Sequence, residues 1–360
     1  MKLFIEPVDV WLFRDGRPFD RGTDHLARTV FPPLPTVIQG VIRTHHIERN
    51  GGIPAYLEGR LPKVEKVIGK PGESPPDTFR LKGPFVARQL NMPGSSHDVD
   101  LYFPLPADAY LDGDTYRALE LRPPGDDVIT DLDSSPLLWP KARRQPGEEE
   151  EKVEGGVWLN LSALETYLRE GEIPKECTIA GSHLFVRERR IGIQRDDRRR
   201  ATVEHMLYEV EFVRLAEDVG LYVEVEGIEG WPVKEVLGIG GEGHSGRYGQ
   251  VRAPEIQHPV DPAAKRFKIV FLTPTYFQQG WQADNWRSLL GADVVFKGAA
   301  VNRPITLGGF DQAKKKHKPA RRYVPAGSVY YFEGPPPLHL KAITQDGANI
   351  GFGQFIIGGW

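Results

Sequence analysis

The sequence predicts an α+β chain, mostly β-strands with a few helices packed on them. Three observations carry that expectation. Tyr208, Val210 and Phe212 alternate with Glu209 and Glu211, and Leu221, Val223 and Val225 with Tyr222, Glu224 and Glu226, the two-residue period of half-buried strands. Over residues 38–45 the apolar positions instead recur at helical spacing. Glycine and proline punctuate the intervals, which keeps the elements short and the turns frequent.

In chain order, residues 2–13 alternate well enough for a strand, and Asp15-Gly16 reads as the turn after it. Pro32, Pro33 and Pro35 stiffen the approach to a helix whose start carries Thr36 and Gln39 as a capping box. On that helix Ile38, Val41, Ile42 and His45 share one face, and Gln39, Arg43 and His46 another. Residues 51–157 look irregular, with proline and glycine recurring between short apolar pieces. A structureless loop of that length does not suit a folded domain, so a large insertion with small strands is expected. Its most solvated part is the acidic stretch 148–154.

A helix is expected over 159–169, a strand over 184–193 and a charged loop over 195–200. Strands at 208–212 and 221–225 follow, then a short helix over 233–237 ending at Gly238, and a strand over 247–252. Strand–helix–strand–strand–helix–strand is a ferredoxin-like arrangement. Pro254, Pro259 and Pro262 mark a boundary, giving domains of residues 1–258 and 259–360. The second domain repeats the theme on a smaller scale. It has a strand over 267–272, a helix around 285–290, and strands over 293–299, 328–332 and 355–357.

With 360 residues the chain is long enough for two hydrophobic cores. No apolar run approaches the length of roughly 18 residues that a membrane helix needs, and no secretory signal pattern opens the chain, so a cytoplasmic protein without membrane partners is expected. The lone cysteine, Cys177, excludes an internal disulfide framework and every multi-cysteine zinc site. The net charge of −3 hides uneven distribution. Residues 187–200 hold seven arginines against three acids, and residues 311–322 hold six Lys/Arg against one acid. Phosphates could use either segment.

The glycines at 238, 240 and 243 spell a dinucleotide-binding pattern, but that motif needs a strand before it and a helix after it. The surroundings of Gly240 and Gly241 do not meet that condition, and no nucleotide cofactor is expected. Without side chains these glycines can let a sugar–phosphate backbone approach main-chain amides; alternatively they form a helix C-cap and a bulge. Gly308 and Gly309 precede a basic run containing Lys314, Lys316, Arg321 and Arg322, with Phe310 and Tyr323 flanking it as stacking surfaces. Solvated loop lysines are the plainer reading. For Arg195, Arg198 and their neighbours the plainer reading is a hairpin whose arginines pair with Glu188, Asp196 and Asp197.

A catalytic inventory is short. His25 lies where an RNA-cleaving enzyme could keep an acid/base, but no partner for it is evident. His45 and His46 are neighbours on different helix faces and cannot form a helical metal pair. Asp98/Asp100 and Asp131/Asp133 sit in turn-rich sequence and read as solvated loop acids, so no metal site is expected.

The order of short motifs is more specific than any one of them. Residues 4–10 (FIEPVDV), 13–19 (FRDGRPF) and 31–43 (FPPLPTVIQGVIR) open a spaced series. Gly192-Ile193, Met206 to Tyr208, Gly240-Gly241-Glu242, Gly308-Gly309, 324–331 (VPAGSVYY) and Gly351-Phe352-Gly353 continue it. The series resembles one family, the third Cmr proteins, which are RAMP-superfamily subunits of type III-B CRISPR effector complexes. It covers nearly the whole chain except 51–157.

That resemblance implies two ferredoxin-like (RRM-like) domains with Gly-rich loops, and a subunit without catalytic residues or cofactor. Such a subunit binds the 5′ tag of the guide RNA and bridges the large polymerase-palm-like subunit to the backbone RAMP subunits. The RNA-binding residues expected on this basis are Arg14 and Arg17 in the first loop, His25, Arg43 on the helix, Arg195, Arg198 and Arg247. Gly240, Gly241, Gly308, Gly309, Lys314, Lys316, Arg321 and Arg322 complete the set. Two other readings are a guide-processing endoribonuclease using His25, and a protein scaffold making contacts through Trp281, Trp286 and Trp360.

Overall fold

Leu3, Phe4 and Ile5 are buried on both faces of the first strand, Lys2–Pro7, which marks it as an interior strand of a covered sheet. It pairs antiparallel with Val219–Glu226 on one side and Ser245–Gln250 on the other. Val219–Glu226 pairs in turn with Arg80–Gln89, and Ser245–Gln250 with Lys234–Gly238, all antiparallel. The computed structural model describes residues 1–15, 26–90, 97–123, 136–141, 153, 155–195, 202–311 and 316–360. The chain is mixed α/β with sheets predominating and few helices.

Two compact units emerge, each gathered from three stretches of sequence. The first takes Met1–Pro93, Leu184–Arg252 and Thr306–Arg321; the second takes Gly94–His183, Ala253–Ile305 and Arg322–Trp360.

In the first unit the helix Pro35–Arg49 buries Ile38, Val41, Ile42, His46 and Ile47. Its start differs from the expected capping box. Leu34 is the N-cap and makes no side-chain cap, because Pro35 takes the first helical position and its preset φ opens the helix instead. The histidines are also exchanged. His46 is buried with Nδ1 3.4 Å from Trp231 Nε1, and His45 is half-buried with Nε2 3.0 Å from Glu235. Ile47, one residue further, widens the apolar stripe and turns His46 inward.

Burial lowers the His46 imidazole below its ordinary value, with His45 and Arg49 adding repulsion, and burial does the same at His45 against the pull of Glu235. A depressed folded pKa means the neutral ring is favoured in the fold. The stabilisation is therefore complete above the unfolded value of about 6.5 and is lost as pH falls through the lower folded values. Melting followed from pH 7 to pH 5 is expected to show falling stability, with a shallower slope in His46→Gln. Equal slopes in the two proteins would contradict this.

Residues 233–237, expected as a helix, form the strand Lys234–Gly238. Five residues are too few to nucleate a helix without strong packing, whereas cross-strand bonds to Ser245–Gln250 are available at once. The described residues of the stretch 51–157 hold more regular structure than the small strands expected. They contribute the helices Gly52–Leu57 and Pro62–Ile68, the long strand Arg80–Gln89, and in the second unit the strands Val99–Pro104 and Val157–Asn160. Arg80–Gln89 is apolar without alternation (Leu81, Phe85, Val86 and Ala87 are buried), the pattern of a strand covered on both faces. Gly83 and Pro84 inside it disguised the strand as a turn.

The second unit has a four-stranded antiparallel sheet in the order Val295–Ala300, Val329–Glu333, Arg266–Phe271, Phe355–Gly359. Phe267, Ile269, Trp286, Tyr330, Phe332 and Ile357 fill its core. The short helix Trp286–Leu290 is capped by Asn285, whose Oδ1 accepts from Ser288 N at 3.0 Å, and closes at the left-handed Gly291. The helix Leu161–Glu170 is capped the same way by Asn160, whose Oδ1 accepts from Ala163 N at 2.8 Å. Asn160 Nδ2 reaches Asp100 at 3.0 Å, so Asp100 is a half-buried structural acid rather than a solvated one. Its carboxyl is pushed up by burial.

A buried ionic cluster lies in this unit. Lys268 and Asp108 are 2% and 0% exposed, with Nζ and Oδ2 2.7 Å apart. Tyr331 donates to Asp108 Oδ2 at 2.5 Å and Tyr167 to Oδ1 at 2.9 Å, and the Lys268 ammonium sits over the Tyr167 ring at 4.6 Å. Burial and the neighbouring carboxylate raise both phenols, so they remain donors.

Candidate nucleic-acid interface

Two segments were expected to offer cations, and the structure treats them differently. Phe185–Arg195 and Thr202–Leu215 form a long antiparallel hairpin in the first unit. Its described arginines are engaged by acids. Arg187 Nη1 meets Glu211 at 2.5 Å and the Thr29 carbonyl at 2.7 Å, and Arg189 lies 3.6 Å from Glu209. Arg190 and Arg214 share Glu188, each at 2.6 Å, and Arg214 also bonds Asp9 at 3.0 Å. Arg214 and then Arg190 hold the Glu188 carboxyl below the usual carboxylate range, and the same two arginines, with Arg214 first, depress Asp9.

Glu188 pairs with Arg190 as expected, Glu209, Glu211 and Asp9 join it, and Asp196 and Asp197 lie outside the described residues. The local excess of positive charge in 187–190 is thus cancelled by residues distant in sequence. One arginine goes further: the Arg190 guanidinium covers the Phe212 ring at 4.9 Å.

The second segment is a two-stranded ribbon of Ile305–Asp311 and Lys316–Tyr323. Lys316, Lys318, Arg321 and Arg322 are all exposed. Strand alternation puts Lys316, Lys318 and Arg322 on one face, with Arg321 on the other. The strand contains no acid. Gly309 on the facing strand lies against this row, a Cβ there being 3.9 Å from Lys318 Cδ. Lys318 was absent from the expected set and belongs to it by this alternation, a signal the sequence carried once the run is read as a strand rather than a loop. Tyr323 is not an open stacking platform: it stacks on Phe352 at 5.0 Å and leans on Tyr276 at 5.4 Å.

The remaining expected residues are dispersed. Arg14 is exposed and its backbone bridges Thr29, the residue whose carbonyl Arg187 also binds. Arg43 is turned onto its own unit, with Nη2 3.1 Å from the Tyr56 hydroxyl and 3.4 Å from the Lys70 carbonyl. Arg247 is exposed on the strand Ser245–Gln250, directly opposite Glu6.

Gly240 and Gly241 form a hairpin turn between two antiparallel strands, so a strand does precede the glycine pattern, yet none of the helix amides of a dinucleotide site follow it. Gly241 N donates to Leu12 O at 2.8 Å, and Gly240 has φ +89 with the same carbonyl 3.1 Å from where a Cβ would be. The positive φ and the close Leu12 carbonyl require glycine at Gly240. Arg17, His25, Arg198 and Lys314 lie outside the described residues, as does the side chain of Arg195.

Four histidines serve packing, while His97 is half-buried and His183 and His339 are exposed. His45 and His46 face Glu235 and Trp231, His244 meets the Phe212 ring edge at 5.3 Å, and His258 Nδ1 accepts from Ile357 N at 3.3 Å. Trp286 is buried and Trp360 donates to the Phe267 and Phe332 carbonyls; Trp281 is the exposed one of the three at 49%. Among the described residues no group of three or more His, Cys, Asp or Glu is placed to hold a metal ion. No helix among them is long and apolar enough to cross a membrane.

Comparison with known families matches residues 3–360 to the family described as CRISPR-associated protein (Cas_Cmr3). No curated protein matches. Among solved structures, a chain of a type III-B Cmr-beta complex bound to cognate target RNA and AMPPnP is 16% identical over 92% of this chain and 86% of that one, with a TM-score of 0.48. A chain of the Csm3–Csm4 subcomplex of a type III-A CRISPR-Cas interference complex is 12% identical over 100% and 99%, with a TM-score of 0.41.

Proposed function

The chain belongs to the CRISPR-associated Cas_Cmr3 family, and from that premise we propose that it is a non-catalytic, RNA-holding subunit of a type III-B RNA-guided interference complex. In this reading it grips the 5′ tag of the guide RNA and bridges the large polymerase-palm-like subunit to the backbone RAMP subunits. The observation that carries the RNA part is the exposed basic face of the strand Lys316–Tyr323, with Gly309 beside it. Three cations spaced two or more residues apart on one strand face suit successive phosphates, and a glycine neighbour keeps side chains out of the way.

Two sheets also support a pair of ferredoxin-like folds. In each unit the first strand of the set lies between the last strand and the third, with the second strand beyond the third. The helix that would complete each set is replaced, by the strand Lys234–Gly238 in the first unit and by the 3-10 turn Ala348–Ile350 in the second. The non-catalytic reading is supported by His45, His46, His244 and His258 being committed to packing rather than converging on a phosphate.

Titration of labelled guide RNA with the purified chain over a range of salt concentrations tests this. Affinity is expected to fall linearly on a log–log scale, with a slope of about −0.7 per phosphate contacted, and the RNA to remain uncut. Salt-independent binding, or turnover of the RNA, would overturn the proposal.

A further inference from the structure

The second unit carries a groove of about 470 Å³ beside the edge strand Phe355–Gly359 and the helix Leu161–Glu170. Leu168, Val260 and Gly359 line it as an apolar floor, and Arg169, Lys265 and Arg266 bring three cations to it. One acid lines it, Asp261, and its Oδ1 is already accepting from Ala263 N at 2.8 Å within its own turn. Outside the lining, Glu333 stands 3.6 Å from Arg266.

We infer that this groove docks an acidic segment of a partner polypeptide, one that presents carboxylates beside an aliphatic side chain. Charge complementarity points to an anionic occupant, because the lining cations outnumber the lining carboxylate. The surface of the groove then separates protein from nucleic acid. A base needs an open aromatic face, and the only aromatic side chain in the lining is Trp360. Its ring is covered by the Arg266 guanidinium at 5.1 Å, meets Tyr331 edge-on at 5.4 Å, and is held by two backbone carbonyls through Nε1. The floor is aliphatic, which suits a leucine or valine with acidic neighbours. Gly359 completes the argument: a Cβ built there meets nothing within 4 Å, so the space beside it is open. The inference rests on the reading of the chain as a subunit of an assembly.

The test uses the reconstituted complex with the photo-crosslinking residue p-benzoylphenylalanine in place of Ala264, a half-buried residue of the same groove. Gly359→Glu fills the open space with the wrong charge without displacing the chain's own atoms, and Lys265→Glu reverses one cation. The expected product is a crosslink to a protein peptide rich in Asp and Glu, its yield reduced by roughly fivefold or more in each variant and kept in Lys265→Arg. A crosslink to RNA, a yield unchanged by both reversals, or no crosslink in an assembled complex would each overturn the inference. Failure of the wild-type chain to enter the complex would instead sink the assembly reading on which it rests.

Discussion

Reversing the basic face of one strand, with Lys316→Glu, Lys318→Glu and Arg322→Glu together, is expected to weaken guide-RNA binding on the order of fiftyfold at 0.15 M salt. Three lost phosphate contacts remove about two from the log–log salt slope, and reversal adds repulsion to the loss. All three side chains are exposed, so melting should shift little. The corresponding change at Arg190 should do less to binding, because its guanidinium is held by Glu188 and covers Phe212. Fluorescence anisotropy at two salt concentrations measures both. Wild-type affinity in the triple variant would remove the strand from the interface.

The second large effect concerns stability. Lys268→Met is expected to destabilise the second unit by about 3–5 kcal/mol, since it leaves the Asp108 carboxylate buried without its cation. The Tyr167 and Tyr331 hydroxyls still donate to that carboxylate, but two neutral donors do not replace an ammonium 2.7 Å away. Pairing Lys268→Met with Asp108→Leu should recover part of the loss, because no charge is then stranded. Denaturant unfolding of the three proteins decides it. A single variant within about 1 kcal/mol of wild type would show that solvent reaches the site.

Much of this architecture was written in local pattern. The strand Val219–Glu226, whose sequence alternates, and the helix Trp286–Leu290 after Asn285 were legible because each signals itself over a few residues, although Val219–Val223 are all buried and the strand is not half-buried as its alternation implied. Arg80–Gln89 was not legible, because a strand covered on both faces loses its alternation and Gly83-Pro84 imitates a turn. The strand Lys234–Gly238 was misread for a related reason: its conformation is decided by a partner strand, not by its own five residues.

The site shows the same division. The basic run at 314–322 could be seen in sequence, whereas the neutralisation of Arg187, Arg189 and Arg190 could not, since Asp9, Glu209 and Glu211 arrive from other strands and loops. Asp108 and Lys268 carry no sequence signal of their meeting. They are 160 residues apart and each sits among residues typical of a surface turn or a strand.

The account depends on RNA being gripped by the ribbon of Ile305–Asp311 and Lys316–Tyr323. Guide RNA carrying 4-thiouridine in its 5′ tag, assembled into the complex and irradiated, reports the contacts directly once the adducts are located by mass spectrometry. Adducts on peptides within 305–323 are predicted. Adducts confined to other parts of the chain, or to other subunits alone, would contradict it.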